Sequence, residues 1–163
     1  MTACSVTLDG VLQKMGIPTR LEYAGRLAVD EDGSAGFLDL IGYRGTSVDP
    51  LHLFISARLT SINRLVTTRA GVALANVRAV PAAARHRVET TVGLMEECGF
   101  TFPRRRGGIG EFNLPKHPPY RLPVVAFSGM NMVGNAVEKG YAIKTEIGAG
   151  TIPFGKIADA TAR

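Results

Sequence analysis

The spacing of hydrophobic positions changes along the chain, and each change marks an element. Residues 72–80 alternate: Val72, Leu74, Asn76, Arg78 and Val80 share one face, Ala73, Ala75, Val77 and Ala79 the other, which predicts a strand. Asn76 and Arg78 then project together, at the end of that strand. After Pro81 the spacing lengthens to three and four through Ala84, Val88, Val92 and Met95, with Gly99 as a left-handed stop, which predicts a helix. Residues 21–29 and 36–43 read as two strands around Asp30-Glu31-Asp32-Gly33-Ser34, a turn that favours a hairpin. Asp49 followed by Pro50 predicts a helix start, running to about residue 57. The carboxylate caps an orphan backbone N–H, and the fixed φ of proline suits the first helical position. Residues 6–12 read as a short strand turned by Gly16-Ile17-Pro18, and β-branched 61–67 as another. Residues 122–127 predict a buried strand, Ser128-Gly129-Met130-Asn131 a tight turn, 132–139 a helix ended by Gly140, and 141–157 a strand and a loop.

Helices and strands interleave, so the expected fold is α/β, a mixed sheet with packed helices, with α+β as the alternative. A length of 163 residues supports one domain, 1–163, divisible into lobes 1–99 and 120–163 joined by the irregular stretch 100–119. Hydrophobic content of 45% with 20% charged residues indicates a folded, soluble chain. No apolar run reaches membrane-spanning length, and the first ten residues lack the order of a signal peptide, so the cytoplasm is expected and no membrane partner. Cys4 and Cys98, far apart and outside any CxxC, argue against a disulfide scaffold or a zinc site.

The net charge of +5 is unevenly spread: Arg104, Arg105 and Arg106, with Lys116, His117 and Arg121, form the densest basic patch. Such a patch favours anionic partners. No aromatic ladder or recognition helix accompanies it, so it reads as a solvated loop rather than a nucleic-acid surface. Residues 150–156 approach a phosphate-binding loop, but Ile157 replaces the hydroxyl residue that should follow the lysine. Gly107, Gly108 and Gly110 lack the strand that feeds a dinucleotide fingerprint. His52, His86 and His117 are scattered, and no nucleophile elbow or local acid–base pair occurs. The expectation is therefore no enzyme, no metal and no cofactor. The positive candidates are binding residues. Arg44, Thr46 and Ser47 lead into the helix start at Asp49, and a guanidinium, two hydroxyls and a helix N-terminus suit a carboxylate or phosphate. Asn76 and Arg78 come next, with Thr60 and Ser61 expected in the same cleft. Ser128, Gly129 and Asn131 form a second anion-binding helix start.

Five stretches in order, VTLDGVLQKMGIPT, LIGYRGTSVDPLHLFI, ARLTS, ALANVRAVPAAA and VAFSGMNMVGNAVEKGY, resemble the regulatory domain of NrpR-type nitrogen-regulation repressors, from about Ser5 to Ala142. The resemblance implies a mixed α/β sensor domain that forms a homodimer and reaches DNA only through a separate winged-helix domain. In the methanogen repressors the effector is 2-oxoglutarate, a small acidic metabolite. The winged helix and the opening of the regulatory domain are expected to be missing ahead of VTLDG. The family's glycine-rich segment after the long helix is replaced by PRRRGGIGEFNLPKHPPY, and Ser128-Gly129 and Asn131-Met132 stand where relatives carry a glycine pair and an Asn-Pro step. The expected function is thus a ligand-sensing domain of a transcriptional regulator, in which alanine at Arg44 or Arg78 weakens binding without unfolding the chain. The alternatives are a structural dimerisation module without ligand, and a small enzyme acting on an acidic metabolite, which would need a carboxylate or histidine beside Arg44.

Overall fold

The computed structural model describes residues 4–103, 112–144 and 153–156. Its elements run α1 (Ser5–Lys14), β1 (Arg20–Val29), β2 (Ala35–Gly42), α2 (Pro50–Ser56), α3 (Ile62–Thr68), β3 (Gly71–Pro81), α4 (Arg85–Glu97), β4 (Arg121–Phe127) and α5 (Asn131–Glu138). The four strands form one sheet in the order β2-β1-β3-β4, with every pairing antiparallel. Helices packed on a sheet are the mixed α/β architecture expected from the chain. Among the described residues, no helix is long and apolar enough to cross a membrane.

The β1–β2 hairpin closes as the turn residues require: Asp30 N–H donates to the Ser34 carbonyl and Gly33 takes φ +80. A second glycine fixes the same pair of strands. A Cβ on Gly25 would lie 2.3 Å from the backbone oxygen of Asp39, so β1 and β2 approach here only because no side chain intervenes. Asp49 accepts from Leu51 N–H at 3.0 Å and caps α2. Gly99 and Gly140, with φ +89 and +88, follow α4 and α5 in the left-handed conformation that ends helices. A short 3-10 turn, Ala82–Ala84, separates Pro81 from α4.

Residues 73–80 of β3 are buried without interruption, so the sheet is covered on both faces. On one face Val80, Leu122, Val124 and Ala126 pack under Leu8 and Leu12 of α1 and Val88 and Met95 of α4. Further along the same face, Ala24 and Leu74 meet Leu51, Phe54 and Ile55 of α2, with Val133 and Val137 of α5 alongside. The opposite face gathers Leu27, Phe37, Ala75, Val77 and Val125 beneath Phe112, whose ring meets Phe37 edge-on at 6.0 Å.

Three expectations are corrected. Residues 6–12 are helix, not strand: Ser5, Leu8 and Leu12 are the buried positions, at spacings of three and four, while Val6 is 65% exposed. Residues 62–67 of the expected strand 61–67 belong instead to a helix, α3, with Ser61 at its start, and only Ile62 of that helix is buried. Asn76 and Arg78 lie inside β3, paired on both sides, not at its end. The segment 141–144 carries no strand, and the basic run 104–106, the glycines 107, 108 and 110, and residues 145–152 lie outside the described residues.

Candidate functional site

Between the two helix-covered clusters runs a polar seam. Asn76 and Arg78 occupy the helix-facing side of β3 and are 4% and 1% exposed. Arg78 donates from Nε to both Asp9 carboxylate oxygens, at 3.0 and 3.1 Å, and from Nη2 to Oδ2 at 2.8 Å. Its Nη1 is buried and has no hydrogen-bond partner among the described residues. Asn76 donates to Ser5 Oγ at 3.0 Å and accepts from the Tyr43 hydroxyl at 3.3 Å. That hydroxyl also lies 3.2 Å from Asp49 Oδ1, so one proton is shared between two acceptors. Burial, reinforced by the Asp49 charge, holds the Tyr43 phenol far above its ordinary value and keeps it a donor. A hydrogen-bonded chain thus runs from the start of α1 through β3 to the cap of α2.

A cavity of about 260 Å³ opens where α1 begins. Leu8, Met95, Phe100, Phe102 and Phe127 give it apolar walls, and Cys4, Ser5, Ser128 and Gly129 a polar end. Burial alone would push the Cys4 thiol up. Backbone N–H groups of Val6 and Gly129, the Ser5 hydroxyl and the Arg78 charge outweigh it and hold the thiol below its ordinary value. The polar end of the cavity therefore favours negative charge. Gly129 closes that end: a Cβ there would stand 3.0 Å from Cys4 Sγ. Among the described residues no cluster of three or more His, Cys, Asp or Glu could hold a metal ion.

The residues singled out from sequence are spread over several places. Ser128, Gly129 and Asn131 line the cavity, but the N–H groups at that helix start are partly spent: Met130 N–H donates to Ser128 Oγ at 3.1 Å and Asn131 N–H to the Ser128 carbonyl at 3.1 Å. The Asn131 side chain is spent too, accepting from Leu74 N–H at 2.7 Å and donating to its carbonyl at 2.9 Å. Thr60 donates to Glu138 at 2.6 Å and Ser61 accepts from Val72 N–H at 2.8 Å, both roles within the fold. Arg44, Thr46 and Ser47 are exposed on the loop ahead of α2, and none of them lines this cavity. Cys4, Ser5, Asp9 and Tyr43 were missed. The signal for two of them was present, since Ser5, Leu8, Asp9 and Leu12 share one face once the segment is read with helical spacing.

A buried polar seam beside an anion-favouring cavity, on a helix-covered antiparallel sheet, is the arrangement found in a chain whose relatives are regulators of transcription rather than enzymes. The chain belongs to one such family: the family model described as NrpR regulatory domains NRD1 and 2 matches residues 1–159. It is 37% identical over 145 residues to the global nitrogen regulator NrpRI of Methanosarcina mazei, covering 88% of this chain and 45% of that protein. With the global nitrogen regulator NrpR of Methanococcus maripaludis it shares 32% identity over 89 residues, 55% of this chain and 17% of that one. Among solved structures, a nitrogen repressor-like protein from Methanococcus jannaschii superposes with a TM-score of 0.62 at 26% identity, over 88% of this chain and 60% of that one. The chain spans less than half the length of the curated relatives it matches.

Proposed function

We propose that this regulatory domain senses a small acidic metabolite, 2-oxoglutarate being the first candidate, in the cavity at the start of α1, and passes its occupancy to a DNA-binding partner domain. The observation that carries the reading is the meeting of the first turn of α1 and the Ser128-Gly129 turn at one hollow, with the charge of the buried Arg78 acting on it from behind the lining. The first turn of α1, the Ser128-Gly129 turn and the Arg78 guanidinium bias the same polar end toward negative charge. Arg78 does not itself line the hollow, and its Nη1 is buried without a hydrogen-bond partner among the described residues. An acidic group drawn to that end, with its carbon chain against Leu8, Phe100 and Phe102, is the chemistry the lining suits. The chain of hydrogen bonds from Ser5 through Asn76 and Tyr43 to Asp49 gives occupancy a physical route to α2. Self-association as a homodimer belongs to the same reading, supported by the two sheet edges, β2 and β4, each paired on one side only.

The test uses the thiol as a reporter, in a Cys98→Ser background that removes the exposed second cysteine. Saturating 2-oxoglutarate is expected to slow alkylation of Cys4 and to raise the melting temperature, since a ligand bound only by the native state stabilises it. Unchanged alkylation rate and unchanged melting temperature would overturn the reading.

A further inference from the structure

Arg44 does not line that cavity. The structure places it at a different corner of the molecule. There the start of β1, the end of β2 and the start of β4 come together around a hollow of about 370 Å³ lined by Arg20, Arg44 and Arg121, with Glu22, Tyr23 and Tyr120. This hollow shares no lining residue with the cavity at α1. Three guanidiniums face one carboxylate. Glu22 is committed to Arg121 at 2.6 Å, and Arg121 also lies over the Tyr120 ring at 5.8 Å. Neither Arg20 nor Arg44 has an ion-pair partner among the described residues. The corner therefore holds an uncompensated double positive charge, carried by two planar forks that match phosphate oxygens two at a time. Lys116 and His117, both exposed, precede Pro118 on its rim and add to the field.

We propose that this corner binds a compact phosphate-bearing ligand of the mononucleotide class, at a site separate from the one proposed for the acidic metabolite. Arg20 and Arg44 hold the phosphate, and the tyrosine rings offer a face for a flat base. Shape decides against a duplex backbone as the occupant. Duplex DNA presents its phosphates as a convex ridge, matched by a basic strip along the surface, whereas here the guanidiniums surround a single hollow. The inference stands without the 2-oxoglutarate reading, because the two sites use different residues.

Calorimetry on the intact chain with AMP, adenosine and duplex DNA tests it. AMP is expected to bind, adenosine to bind at least about tenfold more weakly, and Arg44→Ala and Arg20→Ala each to lose about tenfold or more in AMP affinity. Arg44→Lys, which keeps the charge and loses the fork, should fall between. Neither residue has an ion-pair or hydrogen-bond partner among the described residues, so both variants should melt at the parent temperature, and their response to 2-oxoglutarate should equal that of the parent chain. Three results would each overturn the proposal: no AMP binding at millimolar concentration, AMP binding unaffected by both arginine substitutions, or arginine-dependent binding of duplex DNA that AMP does not displace.

Discussion

Replacing Asp9 with alanine should damage this protein more than the position of Asp9, on a partly exposed helix, suggests. Among the described residues its carboxylate is the only hydrogen-bond partner of a guanidinium whose side chain is 2% exposed, and it takes three contacts between 2.8 and 3.1 Å. Without it, Arg78 keeps its charge on the sheet face that also carries Val80 and Val124, and water reaches it poorly. Breaking a buried pair from one side costs about 3–5 kcal/mol, against a total stability of roughly 5–15 kcal/mol. For a chain of this size each kcal/mol moves the melting temperature by roughly 2–4 °C, so Asp9→Ala should melt about 6–20 °C lower. Removing both partners is a different perturbation. Arg78→Met with Asp9→Ala leaves no stranded charge, and it also removes Nη1, which has no partner among the described residues. The double variant should recover part of the loss, with a coupling of about 1–3 kcal/mol in urea denaturation. The same burial revises the expectation that Arg78→Ala would weaken binding and leave the fold untouched: it would strand Asp9 and open a void. If Asp9→Ala costs less than about 1 kcal/mol, Arg78 finds water or another partner, and the sealed seam described above is wrong.

Two further outcomes follow from local geometry. Partial burial pushes the Glu138 carboxyl up, but Thr60 Oγ and the N–H groups of Ile62 and Asn63 outweigh it and hold the group below its ordinary value. Its contribution is therefore present above the unfolded value, about 4.3 for glutamate, and lost as pH falls through the folded one. Glu138→Gln should lose about 1–2 kcal/mol near neutrality and show a flatter acid limb than the parent in denaturant titrations; an identical acid limb would contradict this. Gly25→Ala would set a Cβ 2.3 Å from a backbone oxygen that no rotamer change can move, so the β1–β2 pair must part. A loss of about 3 kcal/mol or more is expected from thermal melts, and a loss under about 1 kcal/mol would show that the bulge between Arg26 and Leu27 absorbs the strain.

Where the chain's own residues decide the local conformation, the sequence was legible. The Asp30–Ser34 turn, the Asp49-Pro50 cap, the alternation of 72–80 and the glycine stops at 99 and 140 act within a few residues of themselves, and each element formed as expected. The family was legible too, from five stretches in order. What misled was structure decided from a distance. The β-branched 61–67 segment reads locally as a strand; from Ile62 it is a helix whose first N–H groups are met by the Glu138 carboxylate, some 75 residues further on. The start of α1 shows the same dependence, since its helical spacing matters only once Leu8 and Leu12 have a sheet and α4 to pack against.

The candidate site divides along the same line. Residue types foretold a taste for anions, because guanidiniums, hydroxyls and helix starts carry that chemistry wherever they stand. Only tertiary structure decided which of them meet. Arg78 turned inward to Asp9, Thr60 and Ser61 went to holding α3 in place, and Arg44 joined Arg20 and Arg121 at another corner. Cys4, which no motif marked, acquired its character from Gly129 and Arg78, brought beside it by β4 and β3. Charge and hydrogen-bonding capacity belong to the residue, but whether they are spent on the fold or left for a ligand depends on neighbours remote in sequence, and those are known only once the chain has closed on itself.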